Sequence, residues 1–221
     1  MIPKIIHYCW FGNKRKPRLV KKCIKSWKKY APDFRIVEWN EKNFDISSIK
    51  YCQEAYVSKK WAFVSDVARI YALDKFGGIY LDTDYELKKE IDSFCLLDFF
   101  TGFENDSQIG FGIFGASKSN PIISKWLGFY KKRKFVNNNG LMDLKPIGLF
   151  FMEKFDYKKL QNGKTIFFGR EYFYPRETES FIFGLHHYQA SWHTKKEKFI
   201  TFLGPQLTSF LVKIKRIFRK K

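Results

Sequence analysis

Two carboxylates two residues apart, Asp82 and Asp84, close the run Gly77-Gly78-Ile79-Tyr80-Leu81-Asp82-Thr83-Asp84. Ile79 to Leu81 reads as a short buried strand, and in a strand residues i and i+2 face the same way. Both carboxylates are therefore expected to leave a sheet together at its carboxyl edge, where open α/β sheets place their ligands. Paired hard oxygen donors suit Mg²⁺ or Mn²⁺, ions that commonly carry a phosphate as a further ligand. An isolated Asp-x-Asp triplet is also what a solvated turn produces, so its surroundings decide.

Upstream, Phe63, Val67, Ile70 and Leu73, with Val64 and Tyr71, recur at helical spacing over residues 59–76. Gly77 suits the end of that helix and Gly78 a tight turn into the strand. Asp66 and Arg69 lie three residues apart and can meet on one helix face. They form either part of the site or a plain surface ion pair worth at most about 1 kcal/mol.

Two further groups could do chemistry. Trp10, in Tyr8-Cys9-Trp10-Phe11-Gly12, is either a core aromatic or a ring that stacks on a nucleotide base. Three of the chain's four histidines fall in His186-His187-Tyr188-Gln189-Ala190-Ser191-Trp192-His193. Adjacent residues of an extended segment face opposite ways, so at most one of His186 and His187 can reach a metal. The alternative is a structural surface cluster.

The elements that must position these groups follow from pattern. Strands are expected over 4–10, 34–39, 79–84, 99–104 and 109–116, with helices from Pro17, over 59–76 and over 121–131. Segments 172–175 and 182–188 read as short strand or loop near the site. Strands alternating with helices give an α/β layered domain. At 221 residues, 45% hydrophobic and 19% aromatic, the chain has enough apolar surface for a sizeable core and is not of disordered type. No run approaches the roughly 18 apolar residues of a membrane span, and residues 1–8 are too short and mixed for a signal peptide. Cys9, Cys23, Cys52 and Cys95 lack Cys-x-x-Cys spacing, which argues for reduced core thiols in a cytosolic compartment and against zinc.

The net charge is +19, with ten Lys or Arg and no acid in residues 1–32. Such a field attracts polyanions. No nucleic-acid module is recognisable, so no nucleic-acid partner is expected. From Gln206 onward, Leu207, Phe210, Leu211, Ile214, Ile217 and Phe218 fall at helical spacing among six Lys or Arg. This 206–221 segment is expected either to pack on the core as a last helix or to lie on an anionic membrane surface.

The segment KKWAFVSDVARIYALDKFGGIYLDTDYE, the opening PKIIHYCWFG, the stretch CIKSWKKYAPDFRIVEWNEKNFD and the late HHYQASW together resemble family thirty-two of the glycosyltransferases. These are capsular-polysaccharide and mannosyltransferase-type enzymes with a DXD sugar-binding motif. The resemblance covers most of residues 1–195 and rests on four blocks in the expected order. It implies a GT-A (Rossmann-like) fold, a central mixed sheet flanked by helices, occupying 1–205. It also implies a retaining, metal-dependent transfer of sugar from a nucleotide sugar, with a UDP-sugar as the expected donor. The acceptor would be a saccharide or lipid-linked saccharide, in synthesis of a bacterial surface polysaccharide at the cytoplasmic face of the plasma membrane. By that resemblance Asp84 binds Mn²⁺ or Mg²⁺ directly, Asp82 binds it through water or holds the ribose, and His187 is the third ligand. Asp66 and Arg69 hold donor sugar hydroxyls, Trp10 stacks on the base, Gly12 admits the nucleotide, and Ser191 and Trp192 lie near the diphosphate. No carboxylate is marked as a covalent nucleophile, so front-face displacement is preferred. The other classes left open are a metal-dependent nuclease or phosphotransferase, and a non-catalytic basic module that binds membrane or nucleic acid.

Overall fold

The computed structural model describes residues 1–176 and 183–188. Residues 177–182 and 189–221, including Ser191, Trp192 and the 206–221 segment, lie outside the described residues. Chain order begins with β1 (Ile5–Cys9), α1 (Arg18–Tyr30), β2 (Arg35–Trp39), α2 (Lys50–Val57), α3 (Trp61–Phe76), β3 (Gly78–Leu81) and β4 (Tyr85–Leu87). It continues with β5 (Phe99–Asn105), β6 (Gln108–Ala116), α4 (Pro121–Lys132), α5 (Ile147–Lys154), α6 (Tyr157–Leu160), β7 (Thr165–Phe168), α7 (Arg170–Phe173) and β8 (Gly184–His186).

Six strands form one mixed sheet in the order β2-β1-β3-β6-β5-β7. β1 runs parallel to β2 and β3, β6 is antiparallel to β3 and β5, and β7 is parallel to β5. Two core clusters result. One joins α2, α3, α4 and α5 through Val64, Val67, Ile70, Leu73, Trp126 and Phe151. The other joins α1 and the β4 region through Cys23, Trp27, Ile79, Leu81, Tyr85 and Phe173. The sequence reading of α/β with a central mixed sheet flanked by helices holds.

Pro17 stands just before α1, as its fixed φ allows. The helix buries Val20, Cys23 and Trp27 and leaves its lysines outside. α3 departs from the single buried face expected of it. Val64, Asp66, Val67, Ala68, Arg69, Ile70, Ala72 and Leu73 are all buried, because the helix packs on α2 and α4 as well as on the sheet. Gly77 and Gly78 have φ of 63° and 115°, conformations that L side chains rarely adopt. A Cβ on Gly78 would lie 2.6 Å from the Ile5 carbonyl oxygen. His7 locks this turn: it is 1% exposed, its Nδ1 accepts from the Trp39 indole, and its Nε2 donates to the Gly77 carbonyl at 2.8 Å. Burial lowers its pKa to about 4, so it stays neutral, consistent with a structural role.

Two expectations change. Residues 172–173 of the 172–175 segment belong to the helical turn α7 rather than to strand or loop. The third strand stops at Leu81, so Asp82 and Asp84 belong to the turn that follows it. Among the described residues no helix is long and apolar enough to cross a membrane. Cys9, Cys23 and Cys52 are buried free thiols, pushed up to about 12 mainly by burial.

Candidate metal and donor site

The turn after β3 brings the two aspartates together. The Asp82 amide donates to the Gly112 carbonyl at 2.7 Å, and the Tyr85 amide donates back to the Asp82 carbonyl at 2.9 Å. β4 then starts at Tyr85 and pairs antiparallel with β8, placing His186 opposite Tyr85. One ligand atom each from Asp82, Asp84 and His186 lie within 4.8 Å of one another. His186 Nε2 is 3.3 Å from Asp84 Oδ1 and 3.6 Å from Asp82 Oδ2.

His186, rather than the expected His187, is therefore the histidine beside Asp82 and Asp84 among the described residues. The pleat decides it: neighbouring residues of β8 face opposite ways. His187 Nε2 lies 2.9 Å from Glu86 Oε2, on the far side of the strand pair. Glu86 also meets Lys22 at 3.0 Å and Lys88 at 2.8 Å. Burial would raise its pKa, but Lys88, Lys22 and His187 outweigh it and hold it down to about 2. His187 thus helps anchor the strand pair that presents His186.

Arg69 organises the other side of the site. Its Nη2 is 3.3 Å from Asp66 Oδ1 and 3.2 Å from Asp82 Oδ1. Its Nη1 donates to the Phe111 carbonyl at 3.0 Å, its Nε donates to the Ser65 carbonyl at 3.3 Å, and its guanidinium stacks 4.4 Å from the Tyr80 ring. Asp66 and Arg69 are each 6% exposed, so the pair is buried rather than the surface alternative. Most of the guanidinium's donors are engaged within the protein, making Arg69 a brace for two aspartates rather than a free hand for a sugar. Tyr80 Oη also donates to Asp82 Oδ1 at 3.1 Å, which turns Asp82 Oδ2 towards His186.

The electrostatics follow from this packing. Burial raises Asp82, but Arg69, His186 and Tyr80 more than offset it and leave its pKa below the ordinary value. Burial pushes Asp66 up to about 6, with Arg69 only partly opposing. Arg133, at the end of α4, also lowers it slightly. Burial opposes charge on His186, yet Asp82 and Asp84 push it up to about 10. A divalent cation would take the place of that proton. Two carboxylates and one imidazole fit such an ion, and the imidazole tilts the donor set towards Mn²⁺ over Mg²⁺.

Trp10 sits at the same carboxyl end, three residues beyond His7, which pairs with Tyr80 of β3. It is half-buried, and its indole donates to the Lys14 carbonyl at 2.6 Å. Gly12 is a point of close approach within the fold itself. Its φ is 90°, and a Cβ there would lie 2.9 Å from the Trp61 indole, so its freedom admits Trp61. Its amide donates to Glu41 at 2.6 Å.

Two residues were missed from sequence. Gly112 forms the site floor: a Cβ there would be 3.1 Å from the His186 ring and 3.2 Å from Asp82 Oδ2. A glycine in an apolar strand signals close approach but not of what. Glu104, near the end of β5, has a pKa raised chiefly by burial, with His186 opposing and Asp82 adding to the rise. An acid within an apolar strand was its only signal.

Residues 17–99 match a family described as a glycosyltransferase sugar-binding region containing the DXD motif. The chain is 29% identical over 129 residues to inositol phosphoceramide mannosyltransferase 3 of Schizosaccharomyces pombe. That match covers 55% of this chain and 35% of the yeast protein, so the chain spans about a third of this curated relative. A solved structure titled PaToxG glycosyltransferase superposes with a TM-score of 0.53 at 20% identity, covering 72% of each chain. A glycosyltransferase involved in glycosylation of the major capsid of PBCV-1 superposes at 0.51 and 12% identity, covering 86% of this chain and 95% of that one. At these identities the likeness speaks to fold, and the fold is GT-A.

Proposed function

We propose that the protein transfers a sugar from a nucleotide sugar to a saccharide or lipid-linked acceptor, a reading supported by the match of residues 17–99 to a glycosyltransferase sugar-binding region containing the DXD motif. One observation carries this reading: Asp82, Asp84 and His186 converge at the carboxyl edge of a GT-A sheet. Asp84 and His186 would hold Mn²⁺ or Mg²⁺ directly, with Asp82 reaching it through Oδ2 or an intervening water. An ion held there would supply Lewis-acid stabilisation of the diphosphate leaving group. Arg69 and Tyr80 fix Asp82, so the site is set before the donor arrives. Asp66 orients donor sugar hydroxyls, and Trp10 offers a ring edge or face to the base.

The finer assignments are a UDP-sugar donor, retention by front-face displacement, and work on a surface polysaccharide at the inner leaflet of a bacterial membrane. In this reading residues 206–221 attach the protein to anionic lipid. The yeast relative's name specifies mannosyl transfer to a lipid, which supports a lipid acceptor and puts nucleotide-linked mannose on the donor panel. A two-metal nuclease would need further carboxylates, and the described residues hold a single candidate group. The test is hydrolysis of a panel of sugar nucleotides with Mn²⁺ and with EDTA. Slow, metal-dependent release of one sugar supports the reading. No turnover of any donor under both conditions contradicts it.

A further inference from the structure

Of the nine large hydrophobic side chains exposed among the described residues, four fall between 141 and 149. Leu141 is 66% exposed, Met142 45%, Leu144 50% and Leu149 45%. Single exposed apolar residues are ordinary, but such concentration marks a contact surface. The segment is held in place rather than loose. Val136 and Met142 form an isolated bridge, and Asn137 Oδ1 accepts from the amides of Asn139 and Leu141 at 2.9 Å each. Glu54 of α2 accepts from the amides of Phe135 and Val136, and Arg133 pairs with Asp143 at 2.6 Å while stacking 3.9 Å from the Phe150 ring. The protein thus presents leucine and methionine to solvent on an ordered hairpin tip.

The charge around the tip is one-sided. Residues 131–164 contain nine Lys or Arg against three acids. Each of those acids already pairs with a base of the same stretch: Asp143 with Arg133, Glu153 with Lys145 and Lys154, and Asp156 with Lys159. Lys131, Lys132, Lys134 and Lys145 are exposed beside the apolar tip. Apolar side chains ringed by lysines match the boundary between acyl chains and anionic headgroups. A basic partner would be repelled by these lysines.

We propose that the 137–149 hairpin and the start of α5 form a membrane-contact surface, inserting Leu141, Met142, Leu144 and Leu149 between anionic lipids. This surface is made of residues 137–149 and not of residues 206–221, and it does not depend on the transferase reading. The test uses the full chain with vesicles of phosphatidylcholine, with and without phosphatidylglycerol. One variant combines Leu141→Ser, Met142→Ser, Leu144→Ser and Leu149→Ser; a second combines Lys131→Gln, Lys132→Gln and Lys134→Gln. The parent chain should sediment with the anionic vesicles. The serine variant should partition about tenfold or more weakly, since burying one leucine-sized side chain already changes partitioning by about that factor. The glutamine variant should lose part of the salt-sensitive binding, and anionic vesicles should slow tryptic cleavage after Lys132 and Lys134 in the parent. Binding of Mn²⁺ and UDP, measured on the same variants, reports separately on fold and site. Equal vesicle binding by parent and serine variant overturns the proposal, as does a parent that ignores anionic vesicles. A parent dimer that the serine variant dissociates, with no vesicle binding, assigns the face to a second copy and equally overturns it.

Discussion

Replacing Arg69 with Met keeps most of the side chain's length and removes its charge. Asp66 would then stay 6% exposed without the Arg69 guanidinium at 3.3 Å, and Asp82 would lose a contact of 3.2 Å. The Phe111 carbonyl would also lose a donor at 3.0 Å. Removing one partner of a buried ion pair typically costs about 3–5 kcal/mol, because the other charge remains buried. For a domain of this size each kcal/mol moves Tm by about 2–4 °C, so Arg69→Met should melt about 6–20 °C lower at neutral pH. The loss should shrink in acid. Without Arg69 the folded-state pKa of Asp66 lies further above its unfolded value. Its stabilising contribution is then present only at low pH and is lost as pH rises through that raised pKa. Adding Asp66→Asn should restore part of the stability, with a coupling of about 0.5–3 kcal/mol in the double-mutant cycle. Thermal unfolding followed by circular dichroism at neutral and acid pH measures all four species. A variant melting within about 2 °C of the parent, or additive single and double variants, would refute the buried brace.

Three further outcomes follow from the same geometry. His186→Ala should weaken Mn²⁺ binding about tenfold or more, whereas His187→Ala should leave it nearly intact and lower stability through Glu86; calorimetric Mn²⁺ titration with a melting curve distinguishes them. Asp66→Asn should leave Tm at neutral pH unchanged or higher, because burial has pushed Asp66 up to about 6 and its charge costs stability above that pH. The same variant should flatten the rise in stability between about pH 6 and pH 4 and cut turnover; a large fall in Tm at neutral pH would count against the account. Gly112→Ala should reduce Mn²⁺ affinity about tenfold through its contact with His186 and Asp82, at about 1–3 kcal/mol of stability; unchanged affinity would mean the floor is not close-fitting.

The legible part of this fold is the part set by local pattern. The Gly77-Gly78 punctuation, the apolar strand and the helical spacing over 59–76 located α3, β3 and the aspartate turn to within a few residues. Two-residue spacing put Asp82 and Asp84 together, although they converge through a turn after the strand rather than along it. The choice between His186 and His187 was not local. It depends on the register of β8 against β4 across about a hundred residues, and the resemblance pointed to His187 where that register sets His186 beside the aspartates. Arg69 shows a second limit: i,i+3 spacing puts it beside Asp66, but only the fold of β3 and β6 adds Asp82 and the Phe111 carbonyl. Short elements such as α2, α5 and β7 carry too few residues for periodicity to declare them. Gly12 was expected to admit a nucleotide, and the close approach that the fold itself makes there is that of Trp61.

Calorimetric titration of the full chain with UDP, in Mn²⁺ and again in EDTA, tests the central claim most directly. Saturable binding is expected in Mn²⁺, with loss of that binding in EDTA and the same loss in an Asp84→Ala variant that still unfolds cooperatively. UDP binding that is equally strong in EDTA or in Asp84→Ala would contradict the assignment of Asp82, Asp84 and His186 as a metal site for a nucleotide-sugar donor.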